Sequence, residues 1–193
     1  MGKIVVSENV SLDGVIQDPT GEEDLGRGDW RAHVGDKDRD AWAEALFAEA
    51  LAAEALLLGR RSYEFFAERY PFRSGEWADR MNSMPKYVVS ATLEDADAWN
   101  NSAVLKGDVA NEVSTLKQKV NGEIVVYASG RLVPTLLERD LVDELRLMTY
   151  PLVVGAGRRL FSETSSMKPM RLIDTRIVGD GLAFLTYAPV RGA

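Results

Sequence analysis

The chain has 193 residues, of which 46% are hydrophobic and 27% are charged, a composition typical of globular proteins rather than disordered or fibrous ones. Its 30 acidic and 23 basic side chains give a net charge of −7, the wrong sign for binding a nucleic-acid backbone or an anionic membrane. The absence of cysteine and the single histidine, His33, exclude thiol nucleophiles, thiolate zinc sites, iron–sulfur clusters and histidine-rich metal sites. We therefore expect no metal site and no nucleic-acid or membrane partner.

The amino terminus has no apolar run of signal-peptide length, and nowhere do about 18 apolar residues follow one another. These features predict a cytoplasmic protein. No repeat, low-complexity tract or shift in composition marks a boundary, so residues 1–193 are predicted to form one domain.

Short apolar runs and helical spacings alternate along the chain. Strands are predicted at residues 4–6, 56–58, 86–90, 102–105, 124–128, 143–150, 171–178 and 182–188. Helices are predicted between a cap at Asp38 or Asp40 and the second strand, at residues 62–66, at 109–120 behind a cap at Asp108, and at 132–137. Residues 71–85 are predicted to be irregular. The last two strands flank Gly179-Asp180-Gly181 and form a hairpin, so the pattern predicts an α/β domain with a mostly parallel sheet and an antiparallel edge.

Residues 17–40 are rich in glycine and acidic residues and have no hydrophobic period. A connection of this length is typical of a lid or a binding loop. We expect it to close over a bound substrate, with Trp30 stacking on a planar ring and His33 supplying a proton, while core or loop packing is the alternative for Trp30. A solvent-exposed histidine without a role is an equally good interpretation of His33.

Two glycine turns at predicted strand ends suit phosphate groups, because helix N-termini there direct N–H groups outward. Gly59-Arg60-Arg61-Ser62 adds two guanidinium groups and a hydroxyl, and Ser129-Gly130 follows the most apolar strand. Each taken alone is also consistent with an ordinary turn followed by a helix. Gly155-Ala156-Gly157 lacks a third glycine and opens no helix, so the sequence has no dinucleotide fingerprint, and it has no Walker loop.

The order and spacing of several motifs resemble the dihydrofolate-reductase-like superfamily, and within it the riboflavin-biosynthesis reductase-type domain that also forms the C-terminal part of bifunctional deaminase-reductases. The motifs are Ser11-Leu12-Asp13-Gly14, the run from Leu58 to Glu64, the run from Lys86 to Thr92, Ser129-Gly130-Arg131-Leu132, the run from Leu141 to Leu145, and Pro151 with the run from Gly155 to Phe161. The resemblance implies a three-layer fold, with about eight strands, helices on both faces and a C-terminal antiparallel hairpin.

The resemblance also implies NADPH as the cofactor. By analogy with the family, the nicotinamide would lie near Val10 and Gly14, and the adenosine would lie between Ser90 and Thr92. The adenosine-side phosphates would be bound by Gly59, Arg60, Arg61 and Ser62. The pyrophosphate would be held by Ser129, Gly130, Arg131 and Leu132. Two positions depart from the family. Ala91 replaces a basic residue that grips the 2′-phosphate in related reductases, and Val15 replaces the lysine common in riboflavin-pathway enzymes, which puts their ribosylaminopyrimidine substrate in question.

The resulting hypothesis is a reductase that transfers a hydride from NADPH to a C=N or C=O of a small pterin-, flavin-precursor- or ribosylaminopyrimidine-like substrate, related to 5-amino-6-(5-phosphoribosylamino)uracil reductase. Asp13 is the first candidate for the group that donates a proton or binds substrate, and Glu144 is the second. A capping role is an alternative for Asp13. The alternative functions are a non-catalytic ligand-binding module on the same fold, or dihydrofolate reduction.

We also expect a homodimer, because domains of this family usually pair through their sheets. The predicted C-terminal hairpin offers an apolar edge that contains Leu182, Phe184 and Leu185.

Overall fold

The computed structural model describes residues 1–23, 25–161 and 166–191. Its strands are β1 (Lys3–Ser11), β2 (Ala53–Gly59), β3 (Lys86–Val89), β4 (Ser102–Leu105), β5 (Glu123–Tyr127), β6 (Glu144–Tyr150), β7 (Met170–Val178) and β8 (Leu182–Pro189). Its α-helices are α1 (Asp36–Ala52), α2 (Arg60–Ala67), α3 (Glu76–Ser83), α4 (Val109–Lys119) and α5 (Val133–Glu138). Two short 3-10 turns cover Trp30–His33 and Tyr70–Phe72.

The eight strands form one sheet in the order β4-β3-β2-β5-β1-β6-β8-β7. The six strands from β4 to β6 are parallel, and β8 pairs antiparallel with both β6 and β7. The mixed, mostly parallel sheet with its C-terminal antiparallel hairpin is therefore confirmed. Because the six parallel strands point the same way, the turns that follow them meet at one edge of the sheet.

Alternate residues of the central strands enter two separate cores. On β5, Ile124 and Val126 pack against α4 and α5, whereas Val125 packs on the side of α2 and α3. Burial on both faces explains why this strand is a continuous apolar run rather than an alternating one. A third cluster, around Trp30 and Tyr150, packs α1 and the residues before it against β6 and β8.

The first long helix begins earlier than the sequence predicts. Helix α1 begins at Asp36 after Gly35, so neither Asp38 nor Asp40 caps it. Asp38 Oδ1 instead accepts the N–H groups of Asp180 and Gly181, at 2.6 and 3.0 Å, and so fixes the turn between β7 and β8. This partner lies 142 residues away in sequence, which a local capping rule cannot anticipate.

Helix α3 occupies part of residues 71–85, where irregular structure was predicted. The helix has only eight residues, and it begins after Gly75, whose φ of +109° favours glycine. Ala78 and Met81 are buried, so packing on β2 and β3 stabilises a segment too short to show a clear period.

The segment before α1 is anchored at Trp30, whose side chain is only 2% exposed. Its ring meets Tyr150 edge to face, with centroids 5.3 Å apart, and its Nε1–H donates to the Gln17 carbonyl at 2.9 Å. Trp30 is therefore a core residue, and the prediction that it stacks on a substrate is wrong. No helix in the described ranges combines the length and apolar character needed to cross a membrane.

Replacing Trp30 with alanine should lower the free energy of unfolding by about 3–5 kcal/mol, since it empties a large buried site. Phe72, which is 86% exposed, provides the matched aromatic control, and Phe72→Ala should change stability by less than about 0.5 kcal/mol. Chemical denaturation of the two variants checks this. Equal effects would contradict the anchoring role of Trp30.

Candidate functional site

A cleft of about 770 Å³ opens where the turns after β1, β2 and β5 meet. Helices α1, α2 and α3 form its other walls, and residues 16–31 contribute Ile16, Gln17, Glu23 and Arg31 to its lining. The segment predicted to be a lid therefore does border the cleft. His33 is exposed and is not among the lining residues.

The two predicted glycine turns are joined by reciprocal hydrogen bonds. The Gly59 N–H donates to Ser129 Oγ at 3.0 Å, and the Ser129 N–H donates to Ser62 Oγ at 2.8 Å. Ala128 and Ser129 both have left-handed backbones, with φ of 53° and 60°. Non-glycine residues adopt this conformation only where their surroundings enforce it, so the turn after β5 has a defined, strained shape.

The start of α2 has the properties of an anion site. Gly59 precedes it without a side-chain cap, so the first N–H groups of the helix lack that partner. Arg60 and Arg61 occupy the first turn, where the helix dipole disfavours positive charge and a bound anion would offset it. Gly59 has an ordinary φ of −77°, and a Cβ there would come only within 3.6 Å of Leu132 Cβ. The protein's own packing does not require glycine, whereas a close-lying phosphate would.

Arg60 connects this turn to the end of β3. Its Nε donates to Glu64 Oε1 at 2.7 Å, and its Nη1 donates to Thr92 Oγ1 at 2.6 Å. Ser90 Oγ accepts the N–H groups of Thr92 and Leu93, at 3.2 and 3.0 Å. The predicted adenosine-side residues therefore lie together along neighbouring strand ends.

The remaining residues predicted to bind cofactor differ in position. Gly130 lines the cleft, Leu132 is buried beside Gly59, and Arg131 is exposed. Val10 is 6% exposed and packs in the core on the α4 and α5 side. Gly14, with φ of +83°, forms the turn after β1, where its carbonyl accepts the Leu160 N–H at 3.0 Å.

Asp13, the first candidate proton donor, fixes a turn. Its Oδ1 accepts the Ser11 hydroxyl at 2.7 Å and the Val154 N–H at 3.0 Å, and its Oδ2 accepts the Gly155 N–H at 3.0 Å. The hydrogen bond from Ser11 is the main cause that lowers the pKa of Asp13 to about 2. Asp13 is thus ionised near neutral pH, and it does not line the cleft.

Glu144, the second candidate, belongs to an ion-pair cluster at the amino end of β6. It pairs with Lys3 and with Arg146, and Arg146 also binds Glu49 and Glu123 at 2.9 and 2.7 Å. Burial tends to raise the pKa of Glu144, but the hydrogen bonds from Lys3 and Arg146 outweigh it and hold that pKa below its usual value. The structure places this carboxylate among cations, and not among the residues that line the cleft.

A buried acid that the sequence did not point to lines the cleft. Glu8 lies in strand β1 between Ser7 and Asn9, is 8% exposed, and has no hydrogen-bond partner for its Oε1. Burial raises its pKa well above the ordinary value of 4.5, while the attraction of Arg158 opposes this and the repulsion of Glu23 adds to it. The sequence carried no clear signal, because Glu8 lies between the polar residues Ser7 and Asn9 and beyond the strand predicted at residues 4–6.

Glu49 and Tyr127 form a second buried polar pair that lines the cleft. Glu49 Oε2 binds Arg146, whereas Glu49 Oε1 and Tyr127 Oη make no hydrogen bond to any other group. Burial, the nearby charge of Glu49 and a side-chain hydrogen bond with Glu49 raise the pKa of Tyr127, so its hydroxyl remains a donor. Besides Tyr127, seven aromatic residues line the same cleft: Trp42, Phe47, Phe65, Phe66, Tyr70, Trp77 and Phe184. Flat apolar walls with a few polar atoms suit a planar heterocyclic ligand.

The comparisons with known proteins establish the family. The model of the RibD C-terminal domain matches residues 2–184, and the chain therefore belongs to that family. The chain is 27% identical over 191 residues to the uncharacterised protein YyaP of Bacillus subtilis, covering 96% of this chain and 94% of that protein. The resemblance to riboflavin-biosynthesis reductase-type domains is thereby confirmed.

Solved structures confirm the fold. A protein of Shewanella sp. PV-4 assigned to riboflavin biosynthesis has a TM-score of 0.75 at 24% identity, with 98% of this chain and 99% of that chain covered. The dihydrofolate reductase of Enterococcus faecalis, solved with NADP(H) and RAB-propyl, has a TM-score of 0.60 at 14% identity, covering 97% and 96%. The fold is therefore dihydrofolate-reductase-like.

Glu8→Gln should make stability less dependent on pH. The raised pKa means that the folded protein keeps the Glu8 proton where the unfolded chain has lost it. The wild type therefore loses stability as pH rises from about 4.5 through the folded pKa, by about 1.4 kcal/mol for each pH unit that separates the folded pKa from the unfolded one. Relative to wild type, Glu8→Gln should gain stability as the pH rises from about 4.5 through the folded-state pKa of Glu8.

Urea denaturation across this pH range measures the difference. Glu54→Gln is the matched control, because Glu54 is exposed at the amino end of β2. The Glu54 variant should track the wild type at every pH. A Glu8 variant that also tracks the wild type would show that Glu8 is ionised in the folded protein.

Proposed function

We propose that this protein is an NADPH-dependent reductase that transfers a hydride to a C=N or C=O of a small heterocyclic substrate, pterin-, flavin-precursor- or ribosylaminopyrimidine-like. The observation that carries the proposal is the junction of two phosphate-suited turns, through Ser62 and Ser129, at the mouth of an aromatic-lined cleft. Membership of a family of RibD-like reductases supports it. The family relates the reaction to that of 5-amino-6-(5-phosphoribosylamino)uracil reductase.

The turns after β2 and β5 would hold the cofactor. The free N–H groups at the start of α2 and the Ser62 hydroxyl would bind phosphate, with Arg60 and Arg61 on the 2′-phosphate. Ser90 and Thr92 would flank the adenosine, and residues 129–132 the pyrophosphate. Bound NADPH supplies the hydride.

The cleft beyond these turns would hold the substrate. Trp42, whose Nε1–H donates to Asn9 Oδ1 at 2.7 Å, and Trp77 are fixed in its walls, so a flat ring can lie between rigid surfaces. Glu49 and Tyr127 would offer an acceptor and a donor to the ring's polar atoms. Residues 16–31 would exclude water from one side.

The decisive experiment follows NADPH oxidation by absorbance with a set of electron-poor heterocycles. The probes are 7,8-dihydrobiopterin, 7,8-dihydrofolate, riboflavin and 5-amino-6-(5-phosphoribosylamino)uracil. We expect turnover with at least one of them. NADPH binding without any turnover would favour a ligand-binding module instead, and failure to bind NADPH would overturn the proposal entirely.

The double variant Arg60→Ala, Arg61→Ala should weaken NADPH binding far more than NADH binding. Charge-assisted hydrogen bonds to the extra phosphate contribute about 1.5–3 kcal/mol each, or roughly 10- to 100-fold in affinity. Calorimetric titration of both nucleotides measures the difference. Arg171→Ala, at an exposed position on β7, is the control and should leave both affinities unchanged. Equal losses for the two nucleotides would show that neither arginine contacts the 2′-phosphate.

We also propose that the chain forms a homodimer, through β7. The sequence suggested an apolar edge at Leu182, Phe184 and Leu185, but β8 is an inner strand, and Leu182 and Phe184 are buried within this chain. The outer strand is β7, where Ile173 and Ile177 are 46% and 76% exposed. An edge strand with exposed apolar side chains can pair with a second copy of itself, and β7 carries these isoleucines among the charged residues Arg171, Asp174 and Arg176.

Light scattering should therefore give twice the 21.3 kDa mass of one chain at micromolar concentration. The double variant Ile173→Lys, Ile177→Lys should shift the mass to that of a monomer, because lysine disfavours edge-to-edge pairing. The control variant Phe72→Lys also replaces an exposed apolar side chain with lysine but lies outside β7, so it should leave the mass unchanged. A wild-type mass of one chain would contradict the dimer.

A further inference from the structure

We propose that Glu8 is the acid that donates a proton to the substrate, an inference that rests on the proposed reductase function. The carboxyl group lines the cleft, more than nine-tenths of its residue is buried, and its Oε1 has no hydrogen-bond partner. A buried carboxyl without a partner is rare, because losing water without a replacement contact costs about 1–3 kcal/mol or more. A ligand in the cleft would provide the missing contact.

The surroundings of Glu8 favour its neutral form. The charged groups that act on it are Arg158, from the loop after β6, and Glu23, from the segment before α1, and their effects have opposite signs. Burial outweighs both and keeps the proton on the carboxyl. A neutral carboxylic acid can donate its O–H to the nitrogen of a C=N or the oxygen of a C=O.

The other candidate acids do not meet this requirement. Asp13 is ionised and bound in a turn, Glu144 is bound by Lys3 and Arg146, and His33 does not line the cleft. Tyr127 lines it, but its raised pKa makes it a weak acid near neutral pH. Glu23 lines the cleft and burial also raises its pKa, but the residue is exposed, and Glu49 is bound by Arg146. Glu8 combines burial, a raised pKa and a place in the cleft.

The proposed step balances with the cofactor as the only co-reactant. The hydride adds to the substrate carbon and forms a C–H bond, and the π electrons move to the nitrogen or oxygen. That atom forms an N–H or O–H bond with the Glu8 proton, leaving Glu8 as a carboxylate. The substrate is reduced, NADPH is oxidised to NADP⁺, and solvent water restores the proton to Glu8 when the cleft opens.

The protonation state is measured first, independently of turnover. Protein labelled with ¹³C at the glutamate carboxyl carbon is compared, by NMR titration, with the same preparation of Glu8→Gln. The resonance absent from the variant belongs to Glu8, and we expect it at the shift of a protonated carboxyl at pH 7. A Glu8 resonance that is already ionised at pH 7 overturns the proposal.

Kinetics with the four heterocyclic probes then test the donor role. Glu8→Gln keeps the shape and an N–H donor but has no proton to transfer, so kcat should fall about 100-fold or more. NADPH affinity should be unchanged, and the decline of wild-type kcat with rising pH should disappear in the variant. Glu54→Gln should retain wild-type kcat.

The outcomes separate this inference from the proposed function. If wild-type turnover survives in Glu8→Gln, the donor role is overturned while the reductase function stands. If the wild type binds NADPH but reduces no probe, the reductase function fails and the donor role fails with it. Loss of turnover with intact NADPH binding supports both.

Discussion

The hydrogen bonds of Ser129 with Gly59 and Ser62 are the contacts on which the candidate site depends. They hold the carboxyl ends of β2 and β5 at a fixed separation, because each of the two turns contributes one backbone N–H and one hydroxyl to the pair of bonds. Ala128 and Ser129 adopt left-handed conformations that cost about 1–3 kcal/mol each, and these bonds maintain them. The anion-suited start of α2 and the mouth of the cleft both take their positions from this junction.

Buried polar atoms are distributed unevenly over the molecule. Arg146 binds Glu49, Glu123 and Glu144, so each of these carboxylates has a cationic partner for one of its oxygens. In the described part of the chain, three buried side-chain atoms lack a partner: Glu8 Oε1, Glu49 Oε1 and Tyr127 Oη. All three belong to residues that line the cleft. Each unmade hydrogen bond costs about 1–3 kcal/mol. Glu49 and Tyr127 interact with each other, whereas Glu8 Oε1 has no such neighbour, and a ligand in the cleft would complete its missing bond.

The sequence predicted most of the fold and about half of the site. Strands such as β5 and the capped helix α4 were predictable, because burial on both faces and helical spacing are local signals; Asp108 does accept the Asn111 N–H at 3.1 Å. Helix α3 was missed because tertiary packing stabilises a segment too short to show a period. The glycine turns were predictable as motifs. Glu8 was not, since one polar residue in a strand does not reveal which cavity it faces.

Asp13 and Glu8 show why acid–base roles require the structure. They lie five positions apart, on one strand and the turn that ends it, and both are carboxylic acids. Three hydrogen bonds to the charged form lower the pKa of Asp13 to about 2. Burial without hydrogen bonds raises the pKa of Glu8. When environments move two carboxyl pKa values in opposite directions, the raised one is the candidate acid and the lowered one a fixed acceptor. The motif pointed to Asp13, whose carboxylate ties the turn after β1 to Val154 and Gly155, whereas the proposed proton donor is Glu8, on the strand that leads into that turn.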